Sequence, residues 1–458
     1  MIFRLLCTIS LLVFLLPALG NGPDNPESDR SNLVGIWQGV GESDSGAMRF
    51  DLEFSVSGDS LRAEFILVDE GAQRLEAESV SFEDKALNVA AMGGAVKLEG
   101  RLEDGRITGG LQLPGGEMPI RMARKGSPEA EAILEEHRHQ VEALREVPLH
   151  EIRSGPGMDS VDLQTLSRLL EESDKRFTTA LALLHKGELV GEWYRGKEPR
   201  PVHAMSVTKA ALNLVIGRLV TLGELDSVDV PVHQFYPQWA EDEKRSGITI
   251  RHLLAYSSGL DSGQPAGPIN QSEDFVQFAL EAPLEAEPGS ETIYSNNGTN
   301  LLGGIVGRII DEPLDEFLAD DLFGLLGIED FRWDTDRAGN PQGMAGLQLT
   351  AGDLARLGQL ALDRGHWQGE RLIDAEWFAE SFEPATGSSN IGLIWFLEKD
   401  GDEVVGASHG GYLGQWLGIR LDEGIVGVRM VESSPVYDPD TDGFRNFLEM
   451  LPALVTDH

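Results

Sequence analysis

The chain changes hydrophobic rhythm three times, and each change marks a different kind of structure. Residues 5–16 form an uncharged, mostly apolar run with Arg4 before it and Ala18-Leu19-Gly20 after it. A positive head, an apolar core too short to span a bilayer and a small-x-small end are the parts of a secretory signal peptide. Residues 1–20 are therefore expected to direct export, to the periplasm or the medium, and to be removed. The polar, proline-bearing residues 21–31 read as a linker. From 32 to 125 the period becomes two, as in Met48-Arg49-Phe50-Asp51-Leu52-Glu53-Phe54, with turn signals at Ser57-Gly58-Asp59, Glu103-Asp104-Gly105 and Pro114-Gly115-Gly116. That rhythm predicts a small all-β, barrel-like domain.

Residues 126–157 are charged and helix-prone, and Ser154-Gly155-Pro156-Gly157 marks a boundary, so they are expected to form a helical linker. A second domain, 158–458, opens with a helix over 160–173 and a hairpin in which 180–184 turns at Lys186-Gly187 into 189–194. Apolar periodicity then suggests a buried helix from Ser206 and further helices at 250–256, 273–280, 300–310, 315–326 and 350–363, the last with Thr350 as N-cap and Asp353 in the capping box. Strand rhythm returns at 393–397, 404–407, 416–421 and 425–431, before a final helix over 442–455. Strands at both ends with helices between them predict an α+β fold, one antiparallel sheet flanked by helices plus an all-helical region.

The formal charge is −39, with acidic residues spread along the whole chain. This argues against nucleic acid or an anionic membrane as partners and reads as an acidic surface suited to a salty medium. The single cysteine, Cys7, lies inside the leader's apolar core, so the mature chain is expected to hold no disulfide and no lipid-bearing thiol. No other apolar stretch reads as long enough to cross a bilayer, so no membrane anchor is expected after cleavage. No His/Cys/Asp cluster has metal-ligand spacing and no glycine-rich phosphate loop follows a strand, so no cofactor is expected.

The chemistry starts at His203-Ala204-Met205-Ser206-Val207-Thr208-Lys209. Beyond it Leu212, Leu214, Val215, Ile216, Leu219 and Val220 leave only Asn213 and Arg218 polar before Gly223, the pattern of a helix buried nearly all round. Ser206 and Lys209, three apart, share one face of it. An amine held in a dry interior gives up its proton more readily, so Lys209 can act as base toward the Ser206 hydroxyl. Tyr294 is the one tyrosine of six with an asparagine two residues on, Asn296. Beside a nucleophile this pair supplies a phenol to relay a proton and an amide to bond a substrate carbonyl or the lysine. A strand must also bring a backbone N–H opposite the nucleophile's own to hold an oxyanion. His185-Lys186-Gly187 and Lys399-Asp400-Gly401 sit at hairpin turns, whereas His409-Gly410-Gly411 follows a strand, and its glycines allow close approach of backbone to ligand. The N–H of Tyr412 is therefore expected in the oxyanion hole.

In this order, Ser206-x-x-Lys209, Tyr294-x-Asn296 and His409-x-Gly411 resemble the three motifs of the penicillin-recognising serine hydrolases, specifically the class C β-lactamase-like branch with its esterases, amidases and D-aminopeptidases. The stretches Ile248-Thr249-Ile250-Arg251-His252-Leu253-Leu254-Ala255-Tyr256-Ser257-Ser258-Gly259-Leu260 and Leu222-Gly223-Glu224-Leu225-Asp226 are similar to segments of that branch, and the likeness covers roughly 158–455. The first domain resembles small β-domains fused to such hydrolases, and Gly35-Ile36-Trp37 resembles the opening of lipocalin-like barrels, where a tryptophan plugs one end. The resemblance implies that Ser206 forms an acyl-enzyme, Lys209 and Tyr294 share the proton traffic, Asn296 orients the substrate and the N–H groups of Ser206 and Tyr412 hold the oxyanion. Relatives acting on penicillins or peptidoglycan usually carry lysine where this chain has His409. That departure points to a hydrolase of esters or amides acting on a small-molecule or peptide-like substrate. The alternatives are a β-lactamase, a D-alanyl carboxypeptidase or D-aminopeptidase, and, of another class, an inactive binder of cell-wall peptides. His409 itself reads either as a substrate-recognising group or as a spacer that bonds Tyr294 or lines the pocket.

Overall fold

The computed structural model describes residues 32–455 apart from 44–45, 59, 69–72, 95, 114–115, 197, 311 and 433–441. The leader and linker read from residues 1–31 lie outside the described residues.

Nine antiparallel strands make the first sheet: β1 (Gly35–Ser43), β2 (Gly46–Ser57), β3 (Ser60–Leu67), β4 (Gln73–Glu76), β5 (Ser79–Glu83), β6 (Ala86–Ala91), β7 (Val96–Glu103), β8 (Arg106–Leu113) and β9 (Gly116–Arg124). Their order, β4-β3-β2-β1-β9-β8-β7-β6-β5, curls into a half-barrel. The segment between its two end strands bonds back to their neighbours, Ala77 N–H donating to Ala63 O at 2.9 Å and Glu78 N–H to Ala90 O at 2.8 Å. Alternation sends Leu87 and Val89, Val96 and Leu98 inward and Asn88, Lys97 and Glu99 outward. Trp37 fills the interior among Phe50, Phe65 and Met122, its Nε1–H donating to Leu33 O at 2.8 Å. A helix, Pro128–Arg145, packs Ala130 and Ile133 onto Val40 and Ala123 on the outer side.

The second sheet has seven strands, ordered β10-β12-β11-β21-β20-β19-β18. They are β10 (Leu149–Ser154), β11 (Ala180–His185), β12 (Glu188–Arg195), β18 (Phe396–Asp400), β19 (Glu403–Gly411), β20 (Gln415–Arg420) and β21 (Ile425–Met430). Antiparallel pairing of β11 with β21, Ala180 opposite Met430, joins the strands that begin this region to those that end it, as predicted. Every residue of β11 and β21 is buried because layers cover both faces. Ala180, Ala182, Val426 and Val428 face the large core shared with the helices Thr208–Leu222 and Ala351–Leu362, while Leu181, Leu183 and Ile425 face the helix Leu163–Lys175 and the C-terminal segment. At Gly418 and Gly427 a Cβ would lie 2.4 and 2.5 Å from Leu448 and Leu451, so bare backbone is what lets the C-terminal segment lie on the sheet.

Four expectations change. The helical linker read over 126–157 is helix only at Pro128–Arg145, and Leu149–Ser154 is the edge strand β10, paired with β12. The helix read over 442–455 is not continuous: among the described residues Asp442 and Phe447–Met450 are helical and Pro452–Leu454 is a 3-10 turn, Pro452 lacking the N–H that would carry the helix further. The helix read over 315–326 breaks at Asp321 into Leu314–Asp320 and Leu322–Leu325, and the Asp321 carboxylate takes the Arg218 guanidinium at 2.7 and 3.1 Å. Among the described residues one helix, Met205–Leu222, is long and apolar enough to cross a membrane, which the sequence reading denied; it is mostly buried inside the protein. Two small sheets were also not foreseen: β13 (Val202–His203), β14 (Arg332–Trp333) and β15 (Leu347–Leu349) in the order β13-β15-β14, and the hairpin of β16 (His366–Trp367) and β17 (Glu370–Arg371).

Candidate active site

Met205 turns the chain from β13 into the buried helix with φ of 49°, so Ser206 stands in the first 3-10 turn, Met205–Val207, half-buried at the helix head. Lys209, one turn on, is 0% exposed. Its Nζ lies 3.1 Å from Ser206 Oγ and 2.6 Å from Met344 O. Burial drives its amine well below the ordinary lysine range, since the neutral form loses less on leaving water. In its neutral form, which burial favours, the amine beside a hydroxyl is a base in contact with its proton donor.

The Tyr294 hydroxyl is hydrogen-bonded to Ser206, and burial pushes its pKa to about 12 despite that bond. Its ring centroid lies 5.1 Å from Lys209 Nζ and 4.9 Å from the Tyr256 ring. Two residues on, Asn296 begins the helix Asn296–Ile309, which Ser295 caps by accepting from Gly298 N–H. Asn296 Nδ2 donates to Gly263 O at 3.4 Å, and Oδ1 has no partner among the described residues. The open oxygen can accept from the lysine amine or a substrate N–H, and the second N–H of Nδ2 can donate to a substrate carbonyl.

His409, on β19, is 0% exposed. Its Nδ1 lies 2.8 Å from Gly410 O and its Nε2 3.3 Å from the Tyr256 hydroxyl. A carbonyl can only accept, so Nδ1 carries the proton and Nε2 accepts from Tyr256. Burial, then the nearby Lys209, lowers its pKa to about 3. The ring is thus neutral with both nitrogens engaged, an arrangement on the spacer side of the two readings, with Tyr256 as the bonded partner in place of Tyr294. A Cβ on Gly411 would lie 3.1 Å from the Ser206 nitrogen and 3.0 Å from Ala204 O, and one on Gly410 would lie 2.7 Å from the Trp416 ring. Glycine at 411 thus lets β19 lie close to the nucleophile's backbone, and glycine at 410 leaves room for the Trp416 ring of β20. Tyr412 follows in the turn Tyr412–Gly414 with its side chain 58% exposed.

The competing triplets are where hairpin geometry put them. Lys186 and Gly187 have φ of 51° and 81° in the β11–β12 turn, and Gly401 has 62° in the β18–β19 turn. Of the seven residues singled out from sequence, Ser206, Lys209, Tyr294, His409 and Gly411 are linked by direct contacts, while Asn296 lies two residues beyond Tyr294 and Tyr412 directly follows Gly411. Sequence reasoning missed Tyr256, Met344 and Phe396, whose ring stacks on Tyr294 at 6.4 Å and lies 5.3 Å from His409. Tyr256 stood inside a stretch quoted for its resemblance, and its φ of 54° has no mark in the sequence.

The family model described as Beta-lactamase matches residues 166–448, most of the region built on the second sheet and none of the half-barrel. The chain belongs to the beta-lactamase family. Several of its relatives are hydrolases, and the chain is an enzyme of the serine hydrolase type. It is 27% identical over 327 residues to the 6-aminohexanoate-dimer hydrolase of Paenarthrobacter ureafaciens, covering 62% of this chain and 81% of that one. It is 24% identical to the D-alanyl-D-alanine-carboxypeptidase/endopeptidase AmpH of Escherichia coli (strain K12), over 40% of this chain and 56% of the relative. Among solved structures it is similar to EstCE1, a hydrolase with promiscuous acyltransferase activity, with a TM-score of 0.51 and 18% identity, covering 63% of this chain and 97% of the other. At that identity the likeness is one of fold, the β-lactamase/transpeptidase-like arrangement.

Proposed function

We propose that this family member is an exported hydrolase that cleaves an ester or amide bond through an acyl-enzyme on Ser206. The observation that carries the reading is the fully buried Lys209 amine 3.1 Å from the Ser206 hydroxyl. Lys209 takes the hydroxyl proton as Oγ bonds to the substrate carbonyl carbon, and the N–H groups of Ser206 and Tyr412 hold the oxyanion. As the scissile bond breaks, the proton reaches the leaving oxygen or nitrogen through Tyr294. Water then releases the acid and returns the proton to Ser206. Asn296 orients the substrate through an amide that can both accept and donate, which suits an ester or an amide. Export rests on the pattern of residues 1–20. The division at 126–157 into a β-domain and a hydrolase domain rests on two separate hydrophobic cores.

The second reading, a β-lactamase or D-alanyl peptidase, calls for a cation to meet a substrate carboxylate. A neutral, buried His409 beside Tyr294 and Phe396 makes an uncharged aromatic wall, which supports substrates without a carboxylate at that place. Labelling by a fluorophosphonate tests the proposal. Wild type should label and Ser206→Ala should not, whereas an unlabelled wild type would favour a binder of cell-wall peptides, and label retained in the variant would remove Ser206 from its role.

A further inference from the structure

We propose that Asn300 is a positioning residue for the Lys209 amine, acting through the backbone carbonyl of Met344; the inference rests on the acyl-enzyme reading above. A neutral amine has two N–H bonds and one lone pair. With one N–H donated to Met344 O at 2.6 Å, the lone pair can be turned to the Ser206 hydroxyl 3.1 Å away. The direction of the base is therefore set by where Met344 O stands.

Met344 lies on a strap, residues 341–347, that leads into β15. The strap is fixed by side chains from the two helices that carry the site. Asn300 Oδ1 accepts from Met344 N–H at 3.0 Å, and Thr208 Oγ1 accepts from Gly346 N–H and Leu347 N–H at 3.1 Å each. Thr208 precedes Lys209, and Asn300 is one turn beyond Asn296 on the same helix. Two glycines press the strap against that helix: a Cβ on Gly343 would lie 1.8 Å from Thr299 O, and one on Gly303 would lie 2.3 Å from Pro341 O. Asn300 is 1% exposed, and its Nδ2 has no partner among the described residues. A donor buried without a partner is destabilising, so an asparagine kept for packing alone has little to recommend it here. One buried amide thus links the helix that begins at Asn296 to the base on the other helix.

The test uses full-length Asn300→Leu and Asn300→Asp, with acylation by an activated ester followed in a stopped-flow instrument between pH 5 and 9. Asn300→Leu removes the acceptor at similar size and should slow acylation roughly tenfold to a hundredfold, the range that small misplacements of a reacting group cost. Asn300→Asp keeps an acceptor for Met344 N–H and should recover most of that rate. Its added negative charge favours the ammonium form of Lys209, so the acid limb of the profile should move to higher pH. Of the other groups around the amine, His409 stays neutral and Tyr294 is held near 12 across this range, so neither supplies that movement. Acylation of a folded Asn300→Leu within twofold of wild type would overturn the proposal. So would an Asn300→Asp as slow as Asn300→Leu with an unmoved acid limb, the result of a merely structural role. Failure of the acyl-enzyme reading looks different, since wild type itself would then show no Ser206 adduct.

Discussion

A buried neutral His409 makes a sharp statement about substrate charge. If the imidazole faced the substrate with its ordinary pKa of about 6.5, it would be about 97% cationic at pH 5 and about 3% at pH 8. A unit charge about 4 Å from a carboxylate is worth about 4 kcal/mol at an effective dielectric of about 20, and even a quarter of that is about fivefold in rate. With a pKa of about 3, only about one ring in a hundred is protonated at pH 5, so this gain is absent. We therefore expect the ratio of kcat/KM for a carboxylate-bearing substrate, such as a cephalosporin, to that for a neutral ester to stay within twofold from pH 5 to 8. Taking the ratio cancels the titration of Lys209, which both substrates share. His409→Lys, whose longer stem can carry an amine out of the buried position toward the substrate, should raise the ratio where that amine is protonated and serves as the positive control. A wild-type ratio that climbs fivefold or more as pH falls from 8 to 5 would refute the argument, because only a ring that titrates in contact with substrate could produce it.

The same burial bears on stability. The folded ring resists protonation while the unfolded one accepts it below about 6.5, so its stabilisation is whole above that pH and is lost as pH falls toward 3, about 2 kcal/mol by pH 5; urea melts of wild type should weaken over that interval more than those of His409→Gln. Ser206→Ala should give no covalent adduct with an activated ester by mass spectrometry while its Tm stays within about 2 °C, the hydroxyl being half-buried chemistry and not core; an adduct on another residue would reassign the nucleophile. A chain shortened to begin near Glu146, which keeps the edge strand β10, should stay folded and hydrolyse a small ester, since the half-barrel core is separate; a folded but inactive product would show that the β-domain completes the site.

What the sequence determined by itself was everything that repeats within a turn or a strand. Period-two alternation announced a small all-β domain, and an apolar run with two polar interruptions announced the buried helix whose head holds Ser206 and Lys209 three residues apart. Even those interruptions were informative: Asn213 takes the indole N–H groups of Trp377 and Trp395 at 3.1 Å each, and Arg218 takes Asp321. The motif order brought Tyr294, Asn296 and the His409 strand to the same place, because spacing within each motif is local and a shared chemistry requires them to meet. Tertiary packing alone decided the partners. Met344 O reaches Lys209 across 135 residues, and the Tyr256 hydroxyl reaches His409 across 153. A carbonyl has no residue-specific signature, and the charge of a histidine depends on how much water its neighbours exclude. Both facts belong to the way helices and sheet close over one another, and no periodicity along the chain records them.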